Sequence, residues 1–336
     1  MSRKQPPGGK HECEIFGREH EECKESEHKW MSCEKNPGHQ QFICAEAFRQ
    51  SCLSNVQAST RRHELIAMVD LTVRLRVRWT SLWRPDNDDI AEYKATDRLR
   101  VGTGFIRNVS HTVDKRCPCC LQKRKHWEFY VRTALHVVYD TAEATQTKVD
   151  LFFDEKSCQL DGRMKTVTGL EVAHSKSDRD WVQFLCATHD EQVGERIQSA
   201  WYYWMNNVLN LDHLRDINLV LPSKRDVGLA LIVSHPHGQP KKITVGDLEH
   251  EEKSQVLVKY RTHTCPGSSG APVFVVDKRQ EKLLDLLWVS PVHSGSYWKT
   301  KPYNILEEMF IKPWGHHAKQ TNYGYKCLAT TPNRSQ

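Results

Sequence analysis

The sequence predicts an all-β fold with one helical insertion, preceded by a small, mainly helical module rich in cysteine and histidine. Three observations lead there. Residues 69–79, VDLTVRLRVRW, alternate strictly, with Val69, Leu71, Val73, Leu75, Val77 and Trp79 on one face, the period-two signature of a half-buried strand. A series of short β-rich segments punctuated by turn residues follows, as a barrel or sandwich requires. Five of the 12 cysteines fall within residues 13–52, together with His11, His20, His28 and His39. The composition then changes across a polar join, SNVQASTRRHE.

A chain of 336 residues and 39.0 kDa can bury one large core and carry an appendage. Apolar residues at 38% and charged ones at 27% exclude a disordered chain. The balance of Lys+Arg over Asp+Glu, 48 − 42 = +6, is mild and spread out, so a nucleic-acid partner is not expected. The opening MSRKQPPGGKHECE contains no apolar signal core, and no run of about 18 apolar residues occurs. The expectation is an intracellular protein with no membrane partner, its cysteines reduced or bound to metal.

Residues 1–60 are read as the Cys/His-rich module, 61–320 as the main domain and 321–336 as a tail. In the module, Cys44, Phe48 and Cys52 follow helical i, i+4, i+8 spacing. Cys33, His39, Cys44 and Cys52 form a candidate zinc set, although no C-x2-C signature supports it. Buried thiols, or helices joined by disulfides through Cys13 and Cys23, remain open alternatives. Strands are expected over 69–79, 99–109, 127–138, 148–154, 180–186, 227–234, 242–247, 254–260, 271–277 and 282–292. Between the second and third of these, Cys117, Cys119 and Cys120 sit in a basic loop. That loop reads as a solvated hairpin with reactive thiols, or as a metal loop completed by His111, His126 or Cys158. Residues 191–211 break the pattern: Ile197, Trp201, Trp204, Val208 and Leu211 share a helix face.

One short stretch carries chemistry. Residues 264–274 read TCPGSSGAPVF, containing G-x-S-G-x-P. A nucleophilic serine needs a tight turn that presents its hydroxyl and aims backbone N–H groups at the developing oxyanion. Gly267, two residues before Ser269, permits that bend, so Ser269 is the candidate nucleophile and the Gly267 and Ser269 amides the candidate oxyanion hole. A serine also needs a base, and the base an orienting carboxylate. Thr-Ala-Leu-His136 ends a strand, and Asp180 leads into another, with Asp178 as an alternative.

With Gly102-Thr103-Gly104-Phe105 upstream, the order G-T-G-F, T-A-L-H, D, G-x-S-G-x-P resembles the chymotrypsin-like serine proteases over roughly residues 70–315. The pattern is nearest to the disulfide-poor HtrA and glutamyl-endopeptidase branches, and VSHPHGQPKKITVGD (233–247) is similar to an HtrA strand–turn–strand. The resemblance implies a double β-barrel and a serine endopeptidase that needs no cofactor, with His136 as general base, Asp180 orienting it and Ser269 attacking. The partner implied is a protein or peptide substrate. Val137 stands where the family usually has a cysteine, and no Ile-Val-Gly-Gly-like sequence exists, so trypsin-type activation is not expected.

The segment LLWVSPVHSGSYW implies a substrate pocket. Its Val-His293-Ser294-Gly is similar to the I-H-x-G of glutamyl endopeptidases, where a threonine five before the nucleophile, here Thr264, assists. His263 occupies the position where a trypsin-like pocket has an aspartate. An imidazole N–H and a hydroxyl donate to a carboxylate or amide oxygen, so cleavage after Glu or Gln is expected. By the resemblance, Ser294 bonds the triad aspartate. A rival reading is a catalytically silent protease-fold module that recruits partners through its Cys-rich segment.

Overall fold

The computed structural model describes residues 10–17, 22–52, 66–208, 229–249, 257–276, 291–296 and 322–325. Its strands form two antiparallel sheets, of seven and eight strands.

The seven-stranded sheet closes on itself. Strands β4 (Thr72–Val77), β5 (Arg100–Thr112), β6 (His126–Ala134), β7 (Thr147–Leu151), β8 (Lys165–Lys176) and β9 (Trp181–Thr188) pair in the order β5-β4-β7-β8-β9-β6, and β6 returns to β5. The alternation of 72–77 turns Val73, Leu75 and Val77 into this barrel, where Val131, Val149 and Phe184 fill the centre. The opposite face of β4 is not simply solvated: Arg74 is buried, with its Nε 2.8 Å from Asp150 Oδ2 and its Nη1 2.9 Å from the Gly238 carbonyl. The predicted strand 69–79 is shorter than expected, because residues 66–71 are helical. Strand β8 was not expected; it is largely exposed and polar, and so lacks an apolar alternation.

The eight-stranded sheet contains β10 (Leu229–Ser234), β11 (Lys242–Glu249), β12 (Leu257–Arg261), β13 (Val273–Val276) and β14 (Val292–Ser296). It also contains β15 (Asn322–Tyr325), paired between β12 and β14, so part of the predicted tail 321–336 is an interior strand. Of the expected strand 282–292, residues 282–290 lie outside the described residues. The helix Glu191–Val208 matches the expected insertion as far as it is described, and buries Val193, Ile197, Ala200 and Trp204 on the barrel core. Leu211 lies outside the described residues. No described helix is long and apolar enough to cross a membrane.

The expected free-standing module of residues 1–60 needs correction. Strand β1 (Lys10–His11) pairs with β14, β2 (Glu14–Ile15) with β5, and β3 (Ile43–Cys44) with β11. Ala45 and Phe48 belong to the main hydrophobic cluster. A segment that contributes strands to both sheets and side chains to their core is part of one domain. The module does contain a helix, Glu22–Met31. Cys44 ends β3 and its sulfur caps a continuous helical stretch, α over Ala45–Ala47 and π over Phe48–Cys52, so it stands at the start of the helix that carries Phe48 and Cys52.

Candidate active site

Strand β6 ends at Ala134, and a turn closed by the Val137 amide on the Ala134 carbonyl (3.0 Å) presents His136. A buried ionic network holds this turn. Arg84 donates to the His136 carbonyl (3.0 Å) and Arg100 to the Val137 carbonyl (2.8 Å). Both arginines converge on Glu143, which also accepts from the amides of Ser81 (2.9 Å) and Tyr139 (2.7 Å). Burial opposes the charge of Glu143, but Arg100 and Arg84 outweigh it and hold the carboxyl below the usual carboxylate range.

Asp180 precedes β9 in the left-handed region (φ 46, ψ 45), a conformation that aspartate tolerates better than most residues. Its carbonyl accepts the Leu135 amide (3.1 Å), tying it to the His136 turn. Gly267 has φ 96, and a Cβ there would come within 2.5 Å of the His235 carbonyl, so only glycine fits. Ser268, beside it, holds the loop: its hydroxyl lies 3.1 Å from that of Ser234 and accepts the Cys265 amide at 3.3 Å.

These elements bring three side chains into line. His136 Nε2 lies 2.7 Å from Ser269 Oγ, and His136 Nδ1 lies 2.7 Å from Asp180 Oδ2. The other oxygen, Asp180 Oδ1, accepts the His136 amide at 3.0 Å. The Ser294 hydroxyl donates to Asp180 Oδ2. Asp178, the alternative, is an exposed neighbour of Arg179. A hydroxyl bonded to an imidazole whose far nitrogen meets a buried carboxylate can lose its proton while attacking a carbonyl.

The cleft is filled by the chain's own residues 10–13. Both expected oxyanion donors point at one oxygen: the Glu12 carbonyl accepts the Gly267 amide at 2.6 Å and the Ser269 amide at 3.2 Å. The Glu12 amide lies 3.0 Å from Ser269 Oγ. The Glu12 carboxylate enters the predicted pocket, where His293 Nε2 is 2.8 Å from Oε2 and the Ser296 hydroxyl donates to Oε1 at 2.8 Å. The Lys35 ammonium pairs with Glu12 Oε1. Thr264 acts one step removed, accepting from Lys35 (3.2 Å) and donating to Asn322 (3.0 Å). The Glu12 carboxylate can only accept, which puts the proton of the neutral His293 ring on Nε2; Nδ1 lies 2.6 Å from Tyr260 OH. Burial, then the charges of Lys35 and His11, drives the His293 pKa well down, so the ring is a neutral donor; burial also lowers the Lys35 ammonium to about 7, and its pairing with the Glu12 carboxylate favours the charged form.

Glu12, Lys35 and Tyr260 belong to no motif, and neither do Arg84 and Glu143; Ser296 lies within LLWVSPVHSGSYW but past the Val-His-Ser-Gly that marks the pocket. Each meets the site only through tertiary packing, and none has a local signature.

The cysteines group differently from the expected zinc sets. Cys33 and His39 meet His237 and Cys265, with all four ligand atoms within 4.8 Å of one another. Cys33 Sγ is 3.7 Å from Cys265 Sγ, which is 3.4 Å from His39 Nε2. His237 bonds Glu14 through Nδ1 (2.7 Å), and its buried Nε2 has no hydrogen-bond partner. Such a carboxylate–histidine pair leaves one ring nitrogen directed at a metal. In the basic loop, Cys117, Cys119 and Cys120 meet His189, not His111, His126 or Cys158. His111 stacks on Trp127, and His126 bonds Arg124 and Glu128.

No protein-family model matches the chain, and no curated protein does. Solved structures similar to it include the following two. One is an HtrA-type protease with a tripeptide, at 14% identity and a TM-score of 0.32, covering 64% of this chain. The chain spans only 50% of that protease. The other is the Rv3671c protease in its inactive form, at 13% identity and a TM-score of 0.34, covering 82% of this chain and 91% of that one.

Proposed function

We propose that this protein is a serine endopeptidase of chymotrypsin-like architecture that cuts peptide bonds after glutamate, and less readily after glutamine. On this reading the closed barrel with His136 and Asp180 is one half of the fold. The sheet that flanks Ser269 and carries the pocket is the other. The observation that carries the proposal is the Ser269–His136–Asp180 relay facing two amides that converge on one carbonyl oxygen.

Ser269 attacks the substrate carbonyl as His136 takes its proton, and the Gly267 and Ser269 amides hold the oxyanion. His136, held by Asp180, then protonates the leaving amine. Water attacks the acyl ester by the same relay in reverse. Lys35, His293 and Ser296 neutralise and bond a glutamate side chain, while a lysine or arginine would meet a cation. The test is a fluorophosphonate probe: Ser269 is expected to be labelled, and Ser269→Ala to remain unlabelled. A protein never labelled, even when the cleft is cleared, would be the silent module instead.

The catalytic steps need no cofactor. The two clusters fit structural zinc: Cys33/His39/His237/Cys265 and Cys117/Cys119/Cys120/His189 are four-ligand Cys/His donor sets of the type that zinc favours. The hydrogen bond from Cys265 pulls the Cys33 thiol well below its usual range, as a thiolate ligand requires.

A further inference from the structure

We propose that the protein cleaves its own chain between Glu12 and Cys13. The inference rests on the endopeptidase reading and adds the substrate that the structure already holds. Residues 10–13 lie in the cleft as a substrate would, not merely across it. Lys10 pairs with Ser296 and His11 with Gly295, an antiparallel register that runs the segment along β14 toward Ser269. The Glu12 carbonyl oxygen sits between the two oxyanion amides and its side chain in the pocket. Past the bond, Glu14 and Ile15 pair with Val101 and Arg100 on the opposite sheet, so both sides of the bond are held.

Binding on both sides aligns the reacting atoms before chemistry, which is the costly part of a bimolecular encounter. Ser269 Oγ adds to the Glu12 carbonyl carbon and its proton passes to His136 Nε2. Collapse of the oxyanion breaks the Glu12–Cys13 bond, and the proton leaves on the Cys13 nitrogen. One water then hydrolyses the Glu12 ester and restores Ser269. The net change is hydrolysis of one peptide bond, which releases a fragment ending in Glu12 and leaves a new amino terminus at Cys13. Among the described residues the released piece is held by the two-residue pairing, by His11 against His136 and Asp89, and by Glu12 against Lys35, His293 and Ser296, all non-covalent, so its departure opens the cleft to other substrates.

The experiment follows the full-length chain by intact mass and amino-terminal sequencing, beside Ser269→Ala prepared in the same way. The wild type is expected to begin at Cys13 and Ser269→Ala to keep the bond. Because the segment is already seated, the rate should not change on tenfold dilution. Glu12→Gln, nearly isosteric, should cut roughly tenfold more slowly, having lost its charge-assisted bonds. Glu12→Arg places a cation against Lys35, empties the pocket and should stay uncut. Fluorophosphonate labelling of Glu12→Arg separates the two readings. A wild type that stays full-length while Glu12→Arg is labelled on Ser269 overturns self-cleavage and leaves the endopeptidase. If the wild type stays uncut and neither protein is labelled, the endopeptidase reading fails, and self-cleavage with it.

Discussion

The imidazoles of His11 and His136 stack face to face, with centroids 3.9 Å apart and planes 4° apart, while His11 Nδ1 lies 2.8 Å from Asp89. The residue before Glu12 therefore covers one face of the His136 ring and is itself held by an acidic side chain. Two adjoining positions of a bound chain thus have shaped receptors, the His136 face for one and the Lys35–His293 pocket for the next.

A peptide library should therefore show Glu before the cut, with His or an aromatic residue preceding it. Lys35→Met should lower kcat/KM on Glu substrates by about 10- to 100-fold, the worth of a hydrogen bond to a charged group. Gln substrates should suffer less. His293→Ala should weaken both, because the neutral ring donates to either oxygen. A profile dominated by Lys or Arg would contradict the pocket assignment.

Replacing Ser269 or His136 should abolish hydrolysis. Asp180→Asn should cost on the order of 10⁴ in kcat through the wrong histidine tautomer. Asparagine also accepts the left-handed backbone, so this variant tests the carboxylate and not the turn. Asp178→Asn should be near neutral. Ser268→Ala should keep its activity while melting earlier, because the buried hydroxyl bonds Ser234 and Cys265; a loss of about 1 kcal/mol is expected. Burst kinetics and thermal melts check each.

Glu143→Gln removes the anion between two buried arginines and should destabilise the protein by about 3–5 kcal/mol. The folded carboxyl titrates below its ordinary value of 4.5, so its contribution is fully present above that pH and lost as pH falls through the lower folded value. The gap in Tm between wild type and Glu143→Gln should be constant from about pH 7 to 5 and narrow in more acid buffer. A gap that widens on acidification would contradict the network.

Metal analysis should find two zinc ions per chain. Cys33→Ser or His237→Ala should remove one, and Cys120→Ser the other. Stripping with a chelator should lower Tm, and zinc should restore it. A chain beginning at Thr60 would lack Cys33, His39, Ala45 and Phe48, and should be insoluble. A soluble, active product of that kind would restore the independent-module reading.

What the sequence showed locally survives in detail. The alternation at 72–77 is a barrel strand, Ile197 and Trp204 do face the core from a helix, and Ser269, His136 and Asp180 meet from positions far apart in the chain. These signals depend on neighbours in sequence or on a spaced motif. Lys35 and Glu12 carry none, since their importance comes from lying opposite His293 across the fold. The short strands Lys10–His11 and Glu14–Ile15 hold too few residues to show any period. Their pairing is decided by the sheet edges that receive them. Of the expected zinc candidates, Cys33, His39, Cys117, Cys119 and Cys120 lie in the two clusters, but their partners were not legible: His237 and Cys265 are more than 190 residues from Cys33 and His39, and His189 is about 70 from the basic loop.

Residues 10–15 also serve as a ruler. They are bonded to β14 at one end and to β5 at the other, and the bond proposed for cleavage lies between. An extended chain of that length reaches about 20 Å. A substrate that uses the same rails must bring three residues on each side of the cut, all extended and without a proline where a rail needs an amide. Short chromogenic esters that stop at the leaving group grip only one rail. They would report a slow enzyme even where long polypeptides are cut fast, so the length of the bait decides how active this protein looks.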